Sequence, residues 1–181
     1  MGKEVQLNTK KIYDGKILNL RVDEVEISSD VKAVREVIEH KPAVGVLALT
    51  ENDSVLLVKQ FRYAAGMDML EICAGLVEEG ESFQDTAIRE LQEELGYYPQ
   101  ELEEIGHFYV SPGYCQEIIA LFMAKNLKPS KLEHDADEDL STVEIRVSEI
   151  PNLLKSGIIK DMKTWTALVW YMAMRGSQDA V

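Results

Sequence analysis

Hydrophobic and polar positions repeat along this chain with two periods, and the changes of period mark its elements. Leu18, Leu20 and Val22 alternate with polar neighbours, and Val25 and Ile27 resume the alternation on the other phase. Period two is the mark of a half-buried strand, and the shift at Asp23-Glu24 predicts a bulge or a break between two short strands. A further alternating segment at 33–39 follows the turn residues Ser28-Ser29-Asp30. From 43 to 50 the run is continuously apolar, as expected of a strand buried on both faces. Glu51-Asn52-Asp53 then supplies turn chemistry and 54–61 returns as a strand, which predicts a hairpin.

The period changes after an extended piece at 68–73 and a loop punctuated by Gly80. Phe83, Ala87, Ile88, Leu91 and Leu95 form the apolar face of a helix. Ser82 is its predicted N-cap, with Asp85 three residues on. Gly96 suits a left-handed C-terminal position, and Pro99 stops any continuation. Strands are predicted at 104–110 and 117–124 about the turn Ser111-Pro112-Gly113-Tyr114, and a last one at 143–147 beyond an acidic loop at 132–140. Ser148 is the predicted cap of a helix at 149–156 ended by Gly157, and Asp161 the cap of a final helix. There Trp165, Leu168, Val169 and Met172 recur as a stripe, read as core packing. Strands interleaved with three helices make an α/β class with a mixed sheet. The strands before residue 41 would form a small sheet that pairs with the rest or with a second subunit.

Composition narrows the partners. The 181 residues suit one substantial domain with a small appendage, and 46% hydrophobic with 28% charged residues is ordinary for a soluble protein. Thirty-two acidic against 19 basic residues leave a net charge of -13, which argues against nucleic acid or an anionic membrane as the partner. Cys73 and Cys115 stand outside any CxxC or Cys/His cluster, so neither zinc ligation nor a disulfide framework is expected, and the thiols fit a reducing compartment. The polar residues 1–10 lack the apolar core of a signal peptide, and the longest apolar run, Ala43–Leu49, is too short to span a bilayer. A cytoplasmic protein is expected.

The other face of the first helix changes the picture. Glu90, Glu93 and Glu94 lie at spacings that share one face of a 3.6-residue helix. Like charges so placed destabilise an isolated helix, and hard divalent cations take oxygen ligands. An acid-rich helix is also the ordinary form of a solvated face. The longer pattern decides between them: Gly75, five residues, Glu81, seven residues, then Arg89-Glu90-Leu91-Gln92-Glu93-Glu94-Leu95-Gly96. This resembles the signature of the Nudix hydrolases, with Tyr97 where a bulky aliphatic residue is usual. Lys59-Gln60-Phe61-Arg62, Glu71-Ile72-Cys73-Ala74-Gly75 and Ser111-Pro112-Gly113 resemble the ADP-ribose pyrophosphatases among them, with Cys73 in place of the usual proline. Resemblance extends to Arg35-Glu36 and to Lys163-Thr164.

The resemblance implies a Nudix-type α/β/α sandwich at 41–181 behind an N-terminal β-region at 1–40 that serves dimerisation. It implies Mg2+, with Mn2+ as a substitute, held by Glu90, Glu94, Glu93 and the Ala74 carbonyl. Glu93 carries a shared or outer metal role and is implied among the catalytic residues, and Glu81 and Arg89 are supports, Arg89 pairing with Glu93 or with Glu81. Arg62 is implied at a substrate phosphate or ribose, guanidinium offering two-pronged geometry. Gly113 belongs to the implied substrate turn. Arg35, Glu71 and Glu117 are implied around the substrate, though a structural ion pair serves each equally well. Glu138, in the acidic loop at 133–139, is the implied general base, against a merely solvated loop. The implied reaction splits ADP-ribose into AMP and ribose 5-phosphate. Another nucleoside diphosphate sugar or a dinucleotide remains open as substrate, as does a nucleotide-sugar sensor without turnover. A homodimer with strands exchanged at its N-terminus completes the expectation.

Overall fold

The computed structural model describes residues 3–28, 31–133 and 140–178. The chain divides into two compact units, Met1–Pro42 with Phe108–Ile119, and Ala43–His107 with Ala120–Val181.

The first unit carries a three-stranded antiparallel sheet in the order β1 (Val5–Asp14), β2 (Leu18–Ser28), β3 (Val31–His40). β1 has no counterpart in the sequence reading, because every residue along it is exposed and its apolar residues Val5, Leu7, Ile12 and Tyr13 keep no single period. At the turn into β2, a side chain on Gly15 would come within 2.8 Å of the Leu18 carbonyl oxygen, so only glycine fits. Of the bulge or break expected at Asp23-Glu24, no break occurs: β2 runs unbroken against β3 there, but its pairing with β1 shifts register between Gln6 and Asn8, opposite Val25 and Glu24. Further register shifts lie at Lys11/Tyr13 and Glu26/Ser28. The phase shift reflects a change of face, Leu18, Leu20 and Val22 lying on one side of β2 and Asp23, Val25 and Ile27 on the other. Asp23 faces inward beside Val25, accepts the Thr9 hydroxyl at 2.6 Å and pairs with Arg21.

The second unit is built on a sheet ordered β10 (Leu140–Arg146), β5 (Ser54–Arg62), β4 (Ala43–Leu49), β9 (Ile118–Pro129), β8 (Tyr97–Tyr109). β6 (Met67–Glu71) adds to β5 and β7 (Cys73–Leu76) adds to β4, both antiparallel. β4 is buried at every position, as its unbroken apolar run predicts. Val44, Val46 and Ala48 pack with Ala87 of α1 (Phe83–Glu90) and with Leu91 and Leu95 beyond it. Leu47 and Leu49 point the other way by strand alternation, and α3 (Met162–Gln178) also packs on β4. Helices therefore sandwich a mixed sheet, an α/β/α arrangement.

Two helix expectations change. α2 (Ile150–Ser156) is entered through a 3₁₀ turn at Val147–Glu149, so Glu149 rather than Ser148 is its N-cap. Proline at Pro151 suits that first turn, and Gly157 ends the helix at φ 70° as expected. On α3 the buried positions are Thr164, Ala167 and Leu168, while Trp165 and Val169 of the expected core stripe are exposed by 46% and 36%. Leu168 of the stripe is buried as expected, and it turns inward with Thr164 and Ala167 rather than with Trp165 and Val169.

Candidate active site

The site grows from the loop after β7 and the start of α1. Ser82 caps α1, its hydroxyl accepting the Asp85 N–H at 3.1 Å as its spacing predicts. Just ahead, Glu81 accepts the Thr86 hydroxyl at 2.7 Å and the Glu78 N–H at 3.2 Å. Arg89 holds it from one turn further on through two bonds, 2.8 and 3.0 Å. Hydrogen bonding from Arg89 leads the forces that lower the Glu81 carboxyl to about 2, so it stays ionised through the whole physiological range. The Arg89 guanidinium also reaches Glu90 at 2.6 Å, Glu93 at 2.8 Å and the Leu76 carbonyl at 3.1 Å. All five of its N–H donors are thus used, and its own pKa rises further, first through Glu81. Both pairings expected of Arg89, with Glu81 and with Glu93, are made at once.

The helix then widens. Leu91–Leu95 form a π-helical turn, closed by the Gly96 N–H on the Leu91 carbonyl, with Gly96 left-handed at φ 78°. The Gln92 carbonyl instead accepts the Leu132 N–H at 3.2 Å, and the Gln92 side chain donates to Ser130 Oγ at 2.8 Å. This turn differs from the regular helix that the carboxylate spacing assumes, and such turns recur at functional sites. Two acids, Glu90 at the end of α1 and Glu94 in this turn, lean on β7. Glu94 Oε2 accepts the Ala74 N–H at 3.2 Å. Glu90, only 7% exposed, lies so close to Gly75 that a Cβ there would fall 1.9 Å from Glu90 Oε1.

Among the described residues no three His, Cys, Asp or Glu side chains stand together in a metal-holding group. Arg89 is the neutralising charge between Glu90 and Glu93. The donors nevertheless fit a hard divalent cation by type, being three carboxylates and backbone oxygen, and the Gly75 cradle brings one carboxylate against the strand.

A second cluster lies beside this one. Arg62 grips the buried Glu71 with two bonds, 2.8 and 2.9 Å, while 43% of its side chain stays exposed. Lys163 also reaches Glu71, and pairs with Asp161 at 3.1 Å. Burial pushes the Glu71 carboxyl up, but its bonds to Arg62 and Lys163 outweigh that and hold it below the usual carboxylate range. Glu71 therefore sits in an ion-pair network. Arg35, Gly113 and Glu117 belong to the first unit. There Arg35 pairs with Glu4 at 2.6 Å, Glu117 stands 3.6 Å from His40 Nδ1, and Gly113 sits in the turn closed by the Tyr114 N–H on the Ser111 carbonyl. Glu138 lies outside the described residues.

Comparison with known proteins identifies the family. A family model described as the NUDIX domain matches residues 39–167. The chain belongs to the Nudix family. It is 37% identical over 180 residues to an ADP-ribose pyrophosphatase of Bacillus subtilis (strain 168), covering 98% of this chain and 97% of that protein. It is also 37% identical over 175 residues to a methanol dehydrogenase activator of Bacillus methanolicus, covering 93% and 94%. A crystal structure of an ADP compounds hydrolase superposes with a TM-score of 0.90 over 100% of this chain and 98% of the other, at 23% identity, a likeness of fold.

Within this Nudix chain, Arg89 gathers Glu81, Glu90 and Glu93 of the signature, while Glu90 and Glu94 lean on β7. Sequence reasoning assigned no role to Thr86 or Lys163. Thr86 has only helical context to mark it, yet its hydroxyl holds Glu81. Lys163 sits 92 residues from Glu71, beyond the reach of any local pattern.

Proposed function

We propose that this protein hydrolyses the pyrophosphate of ADP-ribose to AMP and ribose 5-phosphate. The carrying observation is the pairing of Glu90 with Gly75 and of Glu94 with the Ala74 N–H, in a chain 37% identical over nearly its whole length to an ADP-ribose pyrophosphatase. Glu90, Glu93, Glu94 and the Ala74 carbonyl would hold the cation, Mg2+ with Mn2+ as substitute. When bound, such a cation screens phosphate oxygens and lowers the pKa of a coordinated water. The residues themselves do the positioning. Glu81, fixed by Thr86 and Arg89, sets the guanidinium that aligns Glu90 and Glu93. Arg62, held by Glu71 and still partly exposed, is suited to a substrate phosphate or ribose. In the reaction water adds to one phosphorus, the bridging P–O bond breaks, and two phosphate monoesters leave, the water's proton passing to a base.

A phosphatase-coupled assay with Mg2+, run across ADP-ribose, other ADP-sugars, GDP-sugars and dinucleotides, tests the reading. Highest turnover on ADP-ribose supports it, and a preference for another compound moves the substrate. No turnover of any compound at high enzyme concentration overturns the hydrolase in favour of a nucleotide-sugar sensor. We assign the base to Glu138. Glu138→Gln is expected to lower kcat by roughly a hundredfold with little change in KM, as loss of acid–base catalysis requires. An effect confined to KM would move the base elsewhere.

A homodimer in the cytoplasm completes the proposal. Its support is the apolar surface of the first unit, where Val5, Leu7, Ile12 and Tyr13 of β1 and Val34 of β3 are all exposed by 46% or more. Exposed apolar groups on one small sheet mark an interaction surface. Sedimentation equilibrium of the full chain should give twice the chain mass, and deletion of residues 1–40 should reduce it to one; a monomeric full chain refutes the dimer.

A further inference from the structure

The strand leading to the acids changes partners at one residue. β6 pairs with β5 and β7 with β4, and Ile72, between them, belongs to neither strand. Ile72 is 1% exposed, so its N–H must find a partner inside the protein. The Thr164 hydroxyl of α3 supplies it, accepting the Ile72 N–H at 2.8 Å. The same hydroxyl donates to Asp161 Oδ2 at 2.5 Å, and Asp161 caps α3 by accepting the Thr164 N–H at 2.9 Å. Lys163, from the same turn, pairs with Asp161 and with Glu71, the residue before Ile72. Two residues after Ile72 comes Ala74, whose N–H meets Glu94, and then Gly75, against which Glu90 lies.

We infer that the first turn of α3 is a positioning device for the acid site. Thr164, oriented by Asp161 and assisted by Lys163, fixes the strand at its point of partner exchange and so sets the Ala74-Gly75 backbone that receives Glu94 and Glu90. The inference rests on the reading that these acids hold a divalent cation. Packing alone does not call for threonine here. Thr164 is fully buried, and valine has the same shape, so the hydroxyl is required only for the hydrogen bonds to Ile72 and Asp161. These residues lie far along the chain from the acid-bearing helix, and their side chains touch none of Glu90, Glu93 and Glu94 through the bonds just described.

The test measures Mn2+ binding by the full chain, from the free-ion electron paramagnetic resonance signal, beside thermal unfolding. Thr164→Val is expected to weaken Mn2+ binding about tenfold at a temperature where it is folded, the low end for removing a group that orients ligands. Thr164→Ser, which keeps the hydroxyl, should restore wild-type affinity even if its melting temperature is lowered. A merely structural role would lower the melting temperature of both and leave affinity unchanged, and that result overturns the inference. If Thr164→Val does not fold, Lys163→Met decides. It spares the Ile72 bond and should weaken Mn2+ binding several-fold, and wild-type affinity there overturns the proposal. A wild-type protein that binds no Mn2+ removes the metal reading itself, and this inference with it.

Discussion

Alanine at Gly75 is expected to remove nearly all hydrolytic activity while the sheet survives. The added Cβ would stand 1.9 Å from Glu90 Oε1 and 2.0 Å from its carboxyl carbon, inside any allowed contact. One partner must move. Gly75 pairs with Val44 in the buried centre of the sheet, whereas the Glu90 carboxylate is the end of a flexible side chain, so the carboxylate yields. Its bond to Arg89 at 2.6 Å goes with it. Overpacking of this kind costs about 1–3 kcal/mol of stability. The rate, which depends on where Glu90 stands, is expected to fall by roughly a hundredfold or more. Turnover under Mg2+ and a urea midpoint separate the two effects. Adding Gly75→Ala to Glu90→Gln should lower the rate little further, because both changes act through one carboxylate. A wild-type rate in the single variant would refute the arrangement.

Glu94→Gln is expected to cost at least about a hundredfold in rate with stability almost unchanged, since a full negative charge is lost from the site proposed to hold a cation. Glutamine is nearly the same size, and its carbonyl oxygen can still accept the Ala74 N–H that Glu94 accepts at 3.2 Å. The substitution therefore removes charge and leaves the contact. Circular dichroism should match the wild type, and excess Mg2+ should recover part of the rate. Equal turnover by variant and wild type would exclude Glu94 from the metal site.

The parts of the fold legible in the sequence are those written in local chemistry. The Ser82 cap, the left-handed Gly96 and Gly157, and the doubly buried β4 follow from neighbours within a few residues. β1 escaped because its few apolar residues, Val5, Leu7, Ile12 and Tyr13, keep no single period along an exposed strand. Asp23 escaped as an interior residue, since a buried carboxylate with Thr9 and Arg21 looks polar in sequence. The candidate site divides in the same way. Glu81 and Arg89 lie eight residues apart, and their pairing was foreseeable. The bond between Ile72 and Thr164 joins positions 92 residues apart, and no spacing rule reaches that far.

The wide turn at Leu91–Leu95 has one more consequence, for how such a chain can vary. Each residue of a regular helix advances roughly 100° around the axis. Adding or removing one residue between Arg89 and Glu94 would swing Glu94 about a quarter-turn away from the Ala74 N–H, or carry Arg89 off the acids it neutralises. Substitutions along this stretch are open to repair by neighbours, but insertions and deletions are not. The fixed interval in the sequence is thus the linear shadow of an angular constraint, and length, more than composition, is what this segment cannot change.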